Sequence, residues 1–334
     1  MRYYALVTCA ALATFLLLNA VGSYAATRLW LGLRRRSRSW TAPARARAVF
    51  WLRVLPPAAA LVFVAAFQLP AYFAHEPYHA NEAVGLPLVA LALFSAFGVA
   101  LAVYRAAASW LTTRRLTALW LRRAEPVRVK GVAVPAYRLD YTTPVLAVVG
   151  TLRPRLFIAR QVMESLSHEE MEVALAHERG HLMARDTLKR ALMQACSDLL
   201  PVIRAGRTLE RAWAEEAERA ADEYAARSGA AGALDLAAAL IKIARLMPAG
   251  IKKVAPAGAF LLEGADEGLA GRVRRLTEMA SSRFAPAGAD LQLSKAARLA
   301  GLAVLFAASA TLAAGWQVLP TVHALTERIV KLLA

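Results

Sequence analysis

The sequence predicts a multi-span α-helical membrane protein with one α+β domain set between its third and fourth spans. Three observations carry this. Four long segments lack any charged side chain, the loops between them differ sharply in arginine, and residues 113–294 have ordinary charge with mixed strand and helix patterning. The chain has 334 residues, is 58% hydrophobic and carries a formal net charge of +17. Length alone would allow two soluble domains. The hydrophobic residues, however, come in uncharged blocks instead of periodic stripes, and that pattern points to lipid.

Crossing the hydrocarbon core takes about 20 apolar residues in a helix. Residues 3–27, 54–73, 83–104 and 299–319 reach that length without a charged side chain. The first block ends near Ser23-Tyr24-Ala25, which passes as a small-residue cleavage site. Yet it is longer than a signal h-region, and positive charge follows it instead of preceding it. It is read as a retained span with its N-terminus outside.

Loop charge sets the rest of the topology. Between the first two blocks lie Arg28, Arg34, Arg35, Arg36, Arg38, Arg45, Arg47 and Arg53, with no acidic residue among them. Loops this basic stay in the cytoplasm and lie against anionic headgroups. A pI of 10.6 would otherwise suggest nucleic acid, but a run tied down by spans on both sides is a membrane feature, and no direct nucleic-acid partner is expected. The loop 75–82 has no Lys or Arg and fits the outside, whereas Arg105, Arg114, Arg115, Arg122 and Arg123 after the third block fit the inside. The expected layout is residues 1–112 as three transmembrane helices with the basic loop 28–53, then a cytoplasmic domain over 113–294. A fourth transmembrane helix over 295–320 and a short extracytoplasmic tail, 321–334, complete it. Cys9 and Cys196 fall in different settings and form no disulfide framework.

Within the domain, residues 127–134 and 145–149 are Val-rich and bounded by Pro or Gly, and Leu156-Phe157-Ile158 is a third short apolar run. These read as strands of a small sheet. From Ser167 the pattern turns helical: Ser167 with Glu170 forms a capping box, and Met171, Leu175 and Leu182 recur at helical spacing. Further helices are predicted over 209–227 and 233–247, and 248–271 reads as a loop rich in Gly, Pro and Ala.

The chemistry lies in His177-Glu178-Arg179-Gly180-His181. Two histidines four apart share one helix face, so both imidazoles can converge on one metal ion with Glu178 beside the remaining coordination position. A catalytic zinc takes three protein ligands and keeps one position open for water, whose proton a nearby carboxylate removes. Glu178 fits that catalytic role. Glu218, in Glu218-Arg219-Ala220-Ala221-Asp222, can complete a two-His, one-Glu set. Asp222, one turn later, can accept a hydrogen bond from the free ring nitrogen of a ligating histidine, and Asp186 is a second residue for that role. Glu215 and Glu216 read as a solvated helix face. His75-Glu76-Pro77-Tyr78-His79 repeats the spelling, but Pro77 lacks an N–H and breaks the shared face.

Thr143-Pro144, Gly150, Leu152 through Ile158, the capping box, His177 through His181, Asp186, Pro201 and Glu218 through Asp222 together resemble the BlaR/MecR-type antirepressor metallopeptidases of membranes. The close match covers roughly residues 143–222, and Arg272-Val273-Arg274-Arg275-Leu276 resembles a weaker pattern of the family. The resemblance implies a gluzincin-like fold, Zn2+, and endoproteolysis of a cytoplasmic protein such as a transcriptional repressor, in signal transduction. The sensor members carry a penicillin-binding domain after the last span. Here only 321–334 follow it, so no built-in antibiotic sensor is expected, and a separate sensor partner or sensing by the spans are both open.

Two other functions compete. One is a membrane-protein quality-control or prenyl-protein-processing zinc peptidase, which shares the His-Glu-x-x-His and Glu-x-x-x-Asp elements. The other is a non-cleaving signalling scaffold. For a peptidase, strands 145–149 and 155–159 either pair with substrate or only pack beneath the active helix. The topology has its own test: a cysteine at Ser37 is labelled only in permeabilised cells, and one at Ala80 is labelled in intact cells. Equal labelling of both in intact cells would overturn the cytoplasmic assignment.

Overall fold

The computed structural model describes residues 2–75, 85–141, 143–196, 205–228, 230–247, 268–281 and 315–333. Three helical stretches, 3–36, 42–75 and 86–121, are long and apolar enough to cross a membrane. The first is α1 (Arg2–Arg36) and the third is α4 (Leu86–Leu121). The second runs as α2 (Ala42–Phe63), a π-helical turn at Val64–Gln68 and α3 (Leu69–His75). At 1.5 Å per residue, 34 residues span about 50 Å, well beyond a hydrocarbon core of about 30 Å. In a bilayer the arginine-bearing ends of α1 and α4 would extend past the apolar layer. Gly22 lets α1 and α2 approach closely, since a Cβ there would stand 3.0 Å from Pro56 Cβ. Gln68 donates to Thr14 Oγ1 at 3.0 Å between the same two helical stretches.

After α4 comes a four-stranded sheet of β1 (Ala124–Val127), β2 (Ala136–Leu139), β3 (Leu146–Val149) and β4 (Arg155–Ala159). Its order is β1-β2-β4-β3; β2 and β4 are parallel, and the outer pairs are antiparallel. The strands expected at 145–149 and 156–158 are β3 and the centre of β4. The strand expected over 127–134 is not there. Residues 128–135 form the connection between β1 and β2, turned by Gly131 at φ 78°. Val129, Val132 and Val134 are apolar because they pack on the core, not because they pair in the sheet.

Helix α5 (Arg160–Ser165) leads into α6 (His168–Ala184), then α7 (Asp186–Ala195), α8 (Ala205–Ala225) and α9 (Ala230–Arg245). Helix α10 (Gly268–Ser281) begins inside the segment read as a loop, of which 248–267 lie outside the described residues. The core joins Leu156, Phe157 and Ile158 of β4 with Val173 and Ala174 of α6, Leu236 and Leu240 of α9, and Leu276 of α10. Most of the expected fourth span lies outside the described residues; residues 315–320 and the expected tail form one helix, α11 (Gly315–Leu333), packed on α3.

Helix α8 also lies along α2, over a second core of Trp30, Val49, Phe50, Leu209 and Trp213. Polar links fix the pair. Arg45 meets Glu216 at 2.7 Å, Arg53 meets Glu210 at 3.2 Å, and the Ala42 N–H at the start of α2 donates to Glu223 at 3.3 Å. Glu216 is therefore not on a solvated face: it is buried, and bound to Arg45 and Arg219. Ser37 is buried as well, so the labelling cysteine belongs at the exposed Ser39. The turn between β3 and β4 depends on Gly150, at φ 112°, where a Cβ would stand 2.6 Å from the Arg153 carbonyl oxygen. Gly150→Ala is expected to lower stability by about 1–3 kcal/mol, read as a fall in Tm; an unchanged Tm would remove this constraint.

Candidate metal centre

Helix α6 starts at the predicted capping box: the Ser167 N–H donates to Glu170 Oε2 at 2.8 Å, and the Glu170 N–H donates to Ser167 Oγ at 3.2 Å. Lys242 of α9 then holds Glu170 at 2.7 Å. The i, i+4 spacing places His177 and His181 on one face, and both are buried. Helix α6 ends at Arg185, which takes the left-handed conformation at φ 55°. That turn redirects the chain so that Asp186, the first residue of α7, comes back to within 2.8 Å of His181 Nδ1. Across from α6, α8 presents Glu218 and Asp222 one turn apart. Gly180 permits the approach, since its Cβ would already stand 3.2 Å from Ala221 Cα.

The ring nitrogens decide what this arrangement can hold. His177 Nδ1 lies 3.1 Å from Asp222 Oδ1, and His181 Nδ1 lies 2.8 Å from Asp186 Oδ2. Asp186 accepts a hydrogen bond from His181 Nδ1, and the Asp222 carboxylate standing beside His177 Nδ1 favours a proton there, which leaves a lone pair on each Nε2. Those two Nε2 atoms face one another at 3.2 Å. Glu218 brings Oε2 to 3.7 Å from His177 Nε2 and Oε1 to 3.7 Å from His181 Nε2. One ligand atom from each of the three residues fits within 4.8 Å of the others. Two lone pairs and a carboxylate converging in a buried space repel unless a cation lies between them. The three side chains fit a metal ion.

The charge balance agrees. Glu178, Glu218 and Asp222 are all buried around a single buried guanidinium, Arg272. Burial pushes the Glu178 carboxyl up to about 8, against the Val148 N–H that donates to its Oε2 at 3.0 Å and the charge of Arg272. Burial likewise raises Glu218 to about 7, partly opposed by Arg272 and His181. Both carboxyls gain from added positive charge. Burial works against ionising Asp222 too, but Arg272 and the His177 contact outweigh it and hold that carboxyl well below the usual range. Burial lowers His177 to about 4 despite Asp222, which keeps the imidazole in the neutral form that ligates metals. Glu178 Oε1 and Glu218 Oε1 have no hydrogen-bond partner among the described residues.

A family model described as Peptidase family M48 matches residues 111–286, more than half of the chain. The chain belongs to peptidase family M48. No curated protein and no solved structure gives a match. This M48 chain is thus a metallopeptidase with three helices able to cross a membrane, and its matched segment holds the whole His177, His181 and Glu218 cluster. The match runs from the last third of α4 to just beyond α10, wider than the 143–222 segment that carries the BlaR/MecR resemblance.

Every residue singled out in the downstream motif meets at this point, Asp186 and Asp222 included. His75 ends α3 with its Nδ1 at 3.2 Å from the Ala71 carbonyl, and His79 lies outside the described residues. Sequence reasoning missed the role of Arg272. Its Nη2 meets Asp222 Oδ1 at 2.6 Å and its Nη1 meets Glu218 Oε2 at 2.9 Å, so it ties Glu218 to the carboxylate behind His177. The arginine run 272–275 was visible, but its spacing does not tell the buried Arg272 from the exposed Arg274. Val148 was missed because it acts through its backbone.

Metal content tests the cluster. His177→Ala, His181→Ala and Glu218→Ala are each expected to strip most bound metal, and Asp222→Asn to weaken it by about 10–100-fold. His75→Ala leaves it unchanged. The measure is metal per purified chain by mass spectrometry, and a chain that loses metal through His75→Ala but not Glu218→Ala would place the site elsewhere.

Proposed function

We propose that the chain is an integral membrane zinc endopeptidase whose catalytic domain faces the cytoplasm and cuts an extended segment of a cytoplasmic protein. The observation that carries this reading is the pair of Nε2 lone pairs facing one another at 3.2 Å beside Glu218. A zinc ion held by His177, His181 and Glu218 would supply Lewis-acid polarisation of the scissile carbonyl and a water of lowered pKa. The chain supplies the rest. Glu178, buried and with Oε1 unpartnered among the described residues, takes a proton from the attacking water and returns it to the leaving amine. The Val148 N–H keeps its carboxylate aimed. Asp186 and Asp222 hold the histidine rings, and Arg272 holds Glu218 and Asp222.

Substrate placement follows from the sheet. Strand β3 is an edge in the described sheet, and its Val148 N–H points to Glu178 instead of β4. An extended peptide can add to such an edge through main-chain bonds that tolerate varied side chains. A cavity of about 610 Å³ lined by Val134, Leu152, His181, Leu182, Met183 and Leu188 adjoins it and suits an apolar substrate side chain. The eight arginines of residues 28–53, expected as a loop but folded as the end of α1 and the start of α2, support the cytoplasmic orientation.

The BlaR/MecR resemblance supports a transcriptional repressor as substrate, in signal transduction, with a separate sensor partner. A second reading is a quality-control or prenyl-protein-processing peptidase. It is favoured by α8, which carries Glu218 and lies along the membrane helix α2; a site docked there reaches chains emerging from the bilayer. Glu178→Gln in the full chain is expected to keep metal and fold while slowing peptide cleavage by about a hundredfold or more. Wild-type cleavage by the metal-loaded variant would remove Glu178 from the mechanism. Cleavage of a membrane-anchored substrate but not its soluble form would decide for the second reading over the first.

A further inference from the structure

A second cavity, of about 790 Å³, lies beside the metal centre along α8. Its walls come from the end of α1, the start of α2, the middle of α8 and the face of α10. Six arginines line it, Arg34, Arg45, Arg211, Arg219, Arg274 and Arg275, against three glutamates, Glu215, Glu216 and Glu278. The glutamates do not neutralise the arginines evenly. Arg45 and Arg219 share Glu216, and Arg275 is bound to Asp222 at 2.9 Å. Arg274 reaches Glu278 only at 3.9 Å, with both side chains largely exposed. Arg34 and Arg211 make no ion pair among the described residues, although both line the same space. Arg34, Arg211 and Arg274 are exposed, so their guanidiniums are available to an anion that enters the cavity.

The location identifies the anion. Arg34 sits in the last turn of α1, one of the three helices able to cross a membrane, and Trp30 and Leu31, one turn earlier, also line the cavity. Three arginines, Arg34, Arg35 and Arg36, in the last turn of an apolar helix mark the headgroup level. Leu31 is about half exposed, so an apolar surface stands beside the cationic one. That pairing suits a molecule with an anionic head and a hydrocarbon tail, and basic pockets beside the ends of membrane helices hold phosphate headgroups. We propose that this cavity binds the headgroup of an anionic phospholipid, with Arg34, Arg211 and Arg274 as the side chains that meet its phosphate. The pocket is joined to the metal centre, since Arg275 lines it and donates to Asp222, which faces His177 Nδ1. A bound headgroup therefore lies a short chain of contacts from a metal ligand. The proposal rests on α1 as a span and on this pocket, not on the peptidase reading.

The test reads lipid retention directly and needs no peptidase activity. The full chain, purified in neutral detergent with phosphatidylglycerol and phosphatidylcholine supplied in equal amounts, is examined by native mass spectrometry. Three forms are compared: wild type, Arg34→Gln/Arg211→Gln/Arg274→Gln, and Arg28→Gln/Arg35→Gln/Arg36→Gln. The last removes the same charge from exposed positions of α1 outside the cavity. Wild type and the outside variant are expected to retain phosphatidylglycerol in preference to phosphatidylcholine, and the pocket variant to lose that preference by about tenfold or more. An unchanged Tm shows that the pocket variant is folded. Equal losses in both variants would mean diffuse attraction to a basic surface and would overturn the site. Displacement of the lipid by millimolar inorganic phosphate would make it a site for free phosphate and overturn the lipid assignment. No preference in wild type would overturn it outright.

Discussion

Two imidazole nitrogens with their lone pairs facing at 3.2 Å are an arrangement that a buried site does not tolerate by itself. It is imposed from behind. Asp222 and Asp186 each take the far side of a ring, and both carboxylates are buried, so neither ring can flip without stranding a buried charge. The rest of the domain meets this requirement. Helix α6 supplies the spacing, the left-handed Arg185 returns Asp186 to His181, and α8 supplies Glu218 and Asp222 from one face. The close approach at Gly180 lets these helices stand near enough for all five groups to meet.

Arg272 is the counterweight. Three buried carboxylates without it would carry a large desolvation cost, and its guanidinium, joined only at Asp222 by the partly exposed Arg275, offsets only part of that charge. Its bonds to Glu218 and Asp222 hold the two carboxylates of α8 in place while leaving the cluster short of positive charge. That deficit, with the facing lone pairs, makes a divalent cation the natural complement. Because α10 supplies Arg272 from fifty residues downstream of Asp222, the site is closed only when α10 docks.

The other side of α8 belongs to the membrane region. Arg45, Arg53 and the N-terminus of α2 hold Glu216, Glu210 and Glu223, and Trp213 is buried between the two helices. Buried ion pairs are a weak source of net stability but a strong source of unique placement. A shift of α2 relative to α6 would therefore move Glu218 away from the histidines. The catalytic geometry is thereby coupled to a helix able to span a membrane, with no intervening linker to absorb the motion.

The sequence by itself determined the parts of this protein that are local. A pair of histidines four apart needs only a helix to converge, a capping box declares where that helix begins, and the first three uncharged runs declare helices long enough to cross a membrane. Glu218 and Asp222 were legible for the same reason, one turn apart on one helix. What local pattern could not carry was left to the tertiary structure. The valines of 128–135 look like a strand because burial, not pairing, selects for them. Glu216 looks solvated because its partner Arg45 lies 171 residues away. Arg272 is indistinguishable from its neighbours until α10 docks against α9 and its guanidinium reaches the carboxylates of α8. Val148 contributes a backbone N–H, which no side chain announces. Each of these depends on contacts between distant segments, and such contacts exist only once the chain has folded.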